Sequence, residues 1–139
     1  MVFIALAATL KSKRGGTTDR IRDIRPKRPL SEREQKMFFR LTATFPEHVV
    51  LAQVAFSALL KSTQQATRNQ YNRKMADFVL CDKSFNVIAA IELDDSSHKG
   101  REREDRERDG LLTHAGFRVL RYAQIPDTTR LLADFRTSS

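Results

Sequence analysis

Two apolar runs joined by a short polar link constrain this chain most: "ADFVLCDKSFNVIAAIELDD", residues 76–95. Residues 75–82 and 87–95 read as strands, and Lys83 to Asn86 form a link of a length that hairpins commonly use. Each strand carries acids where a core strand should have none: Asp77 in the first, Glu92 and Asp94 in the second. A buried carboxylate is costly unless it is paired or neutralised. These strands therefore need a compensating partner.

Side chains alternate along a strand, so Glu92 and Asp94 share a face with Ile88 and Ala90, and Ala89, Ile91 and Leu93 take the other. With a four-residue link, Asp82 falls opposite Val87, Cys81 opposite Ile88, Val79 opposite Ala90 and Asp77 opposite Glu92. Opposed Cβ atoms lie roughly 4.5–5.5 Å apart. Two carboxylates there require that one be protonated or that a cation sit between them. Three acids, Asp77, Glu92 and Asp94, are thus expected on one patch. Oxygen ligands of this kind suit Mg²⁺ or Mn²⁺, which bind through one or two carboxylates plus water and substrate phosphate. Such an ion activates water and offsets charge on a phosphoryl group under attack, so the pattern points to phosphodiester hydrolysis. The competing reading leaves Asp94 and Asp95 in solvent at a strand end and pairs Asp77 with Arg73 or Lys74.

The rest of the chain surrounds this hairpin with helices. "SEREQKMFFRLTATF" carries Ser31 as an N-cap, Glu34 three residues on, and Met37, Phe38 and Leu41 on one face; Pro46 ends it. Residues 48–56 are β-branched and apolar and form a strand, and 57–74 suggest a helical turn and a loop. Residues 99–116 read as a helix laced with i,i+4 charge pairs, among them Arg101/Asp105, Arg103/Glu107 and Glu104/Arg108. Leu111, Leu112 and Ala115 give its buried end, and Gly116 its C-cap. "FRVLRY", 117–122, is a last strand, and Pro126 opens a short helix through Phe135. The order α, β, β, β, α, β predicts an α/β fold: a meander, a helical crossover and a mixed central sheet flanked by helices.

Composition fits one domain. The 139 residues carry 25 Lys and Arg against 17 Asp and Glu, a net charge of +8. Eight of those cations, with two acids, lie in residues 1–28, so basicity is mostly a property of the start. A second basic stretch holds Lys61, Arg68, Arg73 and Lys74 without an acid. One cysteine, Cys81, excludes an intrachain disulfide and a cysteine zinc site, reads as a buried hydrophobe and suits a reducing cytoplasm. Residues 1–29 read as an apolar and basic arm or linker, and 30–139 as the folded domain. "MVFIALAATL" is too short to span a bilayer. It reads either as an element packed on the core or as the end of a membrane anchor, with the following "KSKR" on the cytoplasmic face.

Taken together, "DFVLCD…IAAIELDDSSH…D..RD…AGFRVLRY" resembles the PD-(D/E)XK, or restriction-endonuclease-like, nuclease superfamily, in a bacterial branch close to the very-short-patch-repair-like endonucleases. The resemblance covers roughly residues 30–122. It implies a restriction-endonuclease-like αβββαβ core. It also implies Asp77 and Glu92 as metal ligands, the Leu93 carbonyl as a main-chain ligand, and Glu34 as an acid that completes the site. Glu34 reads equally as the capping-box residue of its helix. Asp94 stands where the superfamily usually has Lys and cannot do that residue's work. Lys74, Lys99 or His98 are the candidates to replace it. Asp105 and Arg108 match a polar pair on the second core helix, with solvated ion pairs as the alternative. Gln53 matches a polar position on the first strand. His48 and His114 read as surface or packing residues.

Three functions follow as expectations. The first is a Mg²⁺- or Mn²⁺-dependent DNA endonuclease, with Arg73, Lys74, Lys99 and Arg108 on phosphates and the basic arm adding salt-sensitive affinity. RNA is an alternative substrate, and cutting both strands of a duplex suggests a homodimer. The second is a nuclease fold that binds nucleic acid without turnover, consistent with the missing Lys. The third is a membrane-tethered adaptor using the apolar start.

Overall fold

The structure is a computed structural model, and it describes residues 24–94, 100 and 102–137. The apolar start, the arm as far as residue 23, and the expected roles of His98 and Lys99 lie outside the described residues. The elements run α1 (Glu32–Thr44), β1 (Val49–Ala55), α2 (Phe56–Leu59), α3 (Gln65–Tyr71), β2 (Met75–Cys81), β3 (Val87–Leu93), α4 (Glu102–His114), β4 (Val119–Tyr122) and α5 (Thr128–Arg136). The stretch expected as a helical turn and a loop, 57–74, has the turn as α2, which begins at Phe56, and carries a second short helix, α3, within the expected loop.

The four strands form one sheet in the order β1-β2-β3-β4. β1 and β3 run antiparallel to β2, and β4 joins β3 in parallel, as a meander followed by a helical crossover requires. The sheet is mixed and flanked by helices, in agreement with the sequence. Phe78, Leu80, Ile91 and Tyr122 pack with Met37, Leu41 and Phe45 of the α1 region and with Leu131 of α5. Val79, Cys81 and Ala90 pack with Phe56, Tyr71 and Leu112 of α2, α3 and α4. Full burial of side chains such as Phe78 or Ile91 is worth roughly 1.5–3 kcal/mol each, and this covering is what takes the neighbouring Glu92 out of water.

The hairpin register holds in its middle and shifts at its tip. Val79 lies opposite Ala90 and Phe78 opposite Ile91, as the four-residue link predicts. Cys81, however, pairs with Val87 and not with Ile88, and the shift falls between Leu80 and Cys81. Asp82 explains the difference. Its Oδ1 accepts from the amides of Ser84 (2.8 Å) and Asn86 (2.9 Å), which builds the turn around that side chain. Phe85 takes a positive φ of 62° within this turn. The irregularity is spent at the tip, so the expected register holds from Leu80 opposite Ala89 to Phe78 opposite Ile91, the neighbours of Asp77 and Glu92.

α1 begins as the sequence predicts. Ser31 Oγ accepts from the Glu34 amide, and Glu34 Oε2 accepts from the Ser31 amide at 2.6 Å, completing a capping box. Among the described residues, no helix is long and apolar enough to cross a membrane.

Candidate functional site

Asp77 and Glu92 come together where β2 and β3 meet α4. Asp77 Oδ2 accepts from the Leu93 amide at 2.8 Å, so the first acid is held by the backbone of the strand that carries the second. Glu92 is 1% exposed, the one buried charged residue of the described core. Burial pushes its carboxyl up to about 8; Arg108 opposes that shift, and the nearby Asp77 carboxylate adds to it. Its Oε2 accepts from Arg108 Nη2, while Oε1 is buried with no hydrogen-bond partner. Arg108 Nε is likewise buried and unpartnered. Its guanidinium lies 6.0 Å from the centre of the Phe56 ring, so an aromatic face helps to fix it.

A cavity of about 270 Å³ opens on these groups, lined by Ser31, Arg33, Glu34, Asp77, Glu92, Leu93, Arg108 and Arg121. Glu34 therefore does both things the sequence allows: it caps α1 and it faces the carboxylate pair. Gln53 holds it there, with Nε2 donating to Glu34 Oε1 at 2.9 Å. Gln53 sits abreast of Asp77, between the pairs Ala52–Phe78 and Val54–Ala76, with a positive φ of 54°. That conformation is disfavoured for a residue with a side chain, and such strain tends to collect at functional positions.

Asp94 does not join the pair. It follows the last residue of β3, and its Oδ1 accepts from Arg121 Nε at 2.9 Å and Nη2 at 2.5 Å. The expected patch of three acids thus narrows to two at the cavity: the Asp94 amide still donates to the Tyr122 carbonyl and continues the ladder, but Arg121, the strand partner of Glu92, engages the Asp94 carboxylate. Among the described residues, no group of three or more His, Cys, Asp or Glu side chains is placed to hold a metal ion. The two-carboxylate set still suits a hard cation that keeps most of its waters. Once Glu92 is ionised, its unpartnered Oε1 is an acceptor that such a cation would satisfy.

Arg108 and Asp105 are not the solvated helix-surface pairs that i,i+4 spacing suggests. Arg103 does reach Glu107, at 3.0 Å, but Arg108 turns inward to Glu92, and Asp105 lies 3.3 Å from Arg121. Arg108 is thereby engaged with a carboxylate inside the site. Lys74 and Arg73 lie between α3 and β2 and do not line this cavity.

Residues 27–137, most of the chain, match the family described as "Protein of unknown function (DUF2726)". The chain belongs to that family. The match begins close to the boundary expected near Leu30. No curated protein and no solved structure matches this DUF2726 chain.

Sequence reasoning missed Arg121, Asp109 and Arg33. Arg121 Nη1 donates to both carboxylate oxygens of Asp109, at 2.9 and 2.8 Å, while the same side chain holds Asp94. Those carboxylates raise the guanidinium's pKa against the opposing pull of burial. Arg121 is also the strand partner of Glu92. The signal was an arginine inside the four-residue strand "VLRY", the same misplaced charge that singles out Asp77 and Glu92. Arg33 gave no such signal, since a charged residue in the first turn of a helix is unexceptional.

Proposed function

We propose that this protein is a metal-dependent nuclease that hydrolyses phosphodiester bonds of DNA, built on a restriction-endonuclease-like core. One observation carries the reading: Asp77 and Glu92 lie side by side in a cavity, and a buried oxygen of Glu92 has no donor. Asp77, Glu92 and the Leu93 carbonyl would hold a Mg²⁺ or Mn²⁺ ion, with Glu34 in the wall beside them. That ion would supply an activated water and offset charge on the attacked phosphoryl group. The chain's own residues provide the frame. The Leu93 amide orients Asp77, Gln53 and Ser31 orient Glu34, and Arg108 brings a positive charge to the cavity wall. Cleavage of plasmid DNA with Mg²⁺ or Mn²⁺ by the wild type, and its loss in Asp77→Asn, is the expected result. Equal cleavage by both proteins contradicts the assignment.

A second reading rests on Arg108. Its guanidinium already neutralises part of Glu92, as a cation would, and Asp94 is committed to Arg121. A nuclease fold that binds nucleic acid without cutting it has this character. Salt-dependent DNA binding without cleavage under any divalent ion is its signature.

A further inference from the structure

We infer that a DNA strand reaches the carboxylate cavity across the start of α1, held by Arg33, Lys27 and Arg28, and not from the side of Arg73 and Lys74. The inference rests on the nuclease-fold reading for the identity of the ligand. It adds the direction of approach and the residues that make it.

The cations around the site divide into two groups. Arg108 and Arg121 line the carboxylate cavity, but each is committed to acids, Arg108 to Glu92 and Arg121 to Asp94, Asp105 and Asp109. Arg33 lines the same cavity, and its Nη2 donates to the Ala123 carbonyl at 2.6 Å. That bond orients the side chain without neutralising it. Among the described residues, no carboxylate pairs with Arg33. Beside this cavity lies a second, of about 440 Å³, and both have Ser31 and Glu34 in their walls. Exposed Lys27 and Arg28 line the second cavity, again without an acid partner among the described residues.

Glu32 and Glu34 are the acids of that second wall. The Ser31 amide and Gln53 fix Glu34 without neutralising it, so Lys27 and Arg28 offset these two acids and Arg33 is the cation in excess. The attraction comes from side-chain charge and not from the helix start itself, because Ser31 already caps the Glu34 amide. Two adjoining cavities with uncommitted cations in each suit a ligand with repeating negative charge. A phosphodiester strand is such a ligand, since its successive phosphates can meet Arg33 at the carboxylates and Lys27 or Arg28 beyond them. Arg73 and Lys74 border neither cavity.

The test is binding of a fluorescein-labelled DNA oligonucleotide, read by anisotropy across a salt series without divalent ions. Every protein carries Asp77→Asn so that the probe stays intact. Lys27→Ala with Arg28→Ala, and separately Arg33→Gln, should weaken binding and lower the slope of log affinity against log salt by about one for each phosphate no longer neutralised. Lys27 and Arg28 are exposed, so their change leaves the fold in place even if Arg33→Gln disturbs the Ala123 hydrogen bond. Arg73→Ala with Lys74→Ala should leave the slope unchanged. An unchanged slope in the first variants, or the larger loss in the Arg73 and Lys74 pair, overturns the inference. The predicted binding map in a protein that never cuts DNA would sink the nuclease reading and leave this surface standing.

Discussion

Glu92 decides the chemistry at the residue scale, because it is the acid the fold buries almost completely. A group with a folded pKa near 8, against about 4.3 in an unfolded chain, binds more protons when folded throughout that interval. The slope of unfolding free energy with pH follows the difference in bound protons, unfolded minus folded, and is negative there. Stability is therefore greatest below about pH 4, as far as Glu92 alone is concerned, and falls as pH rises to about 8. The total is on the order of a few kcal/mol. Glu92→Gln cannot ionise and can still accept from Arg108. Thermal melts between pH 4 and 9 should show the variant gaining on the wild type as pH rises. A gap that stays constant with pH would contradict a neutral, buried Glu92.

At the scale of elements, the question is how α4 is kept on the sheet. Its first turns are highly charged, and Leu112 is its one fully buried residue. Arg121 of β4 supplies the missing attachment, gripping Asp105 and Asp109 of α4 together with Asp94 after β3. These groups are largely shielded from solvent, so the ion pairs exceed an exposed pair in strength. Arg121→Met should cost on the order of 2–3 kcal/mol by denaturant unfolding. It should also speed amide exchange in α4 more than in α1. A uniform effect on both helices would show that Arg121 does not specifically dock α4.

The elements also show how much was legible in advance. Strand order, the meander and the crossover follow from apolar runs and turn residues, and Ser31 with Glu34 marks the start of α1 unmistakably. The acids Asp77 and Glu92 stand out because charge inside an apolar strand is costly. The fate of Asp94 was not legible. Parity gives it the face of Glu92 but not its partner, and that partner, Arg121, lies 27 residues further along the chain. For Arg108 the helix-surface spacing rule offers Glu104 and the resemblance offers a site role beside Asp105; the sheet gives it a buried carboxylate, Glu92, which neither named as its partner. The tip shift at Cys81 came from Asp82 building its own turn, a side-chain effect that counting link residues does not include.

On the scale of the whole molecule, one sheet with α1 on one side and α4 on the other brings residues of α1, β2, β3, α4 and β4 to a single cavity. α1 contributes Glu34 and Arg33, β2 and β3 contribute the acid pair, and α4 contributes Arg108. The helices that cover the sheet also exclude water from Glu92, so the packing that stabilises the fold creates the demand for a partner. In this structure Arg108 meets part of that demand. The central claim is that a divalent cation meets the rest. Anomalous diffraction from a crystal soaked in Mn²⁺ tests this most directly. Density bridging Asp77 and Glu92 is the expected result. Saturating Mn²⁺ with no density there, and Arg108 still paired to Glu92, would contradict it.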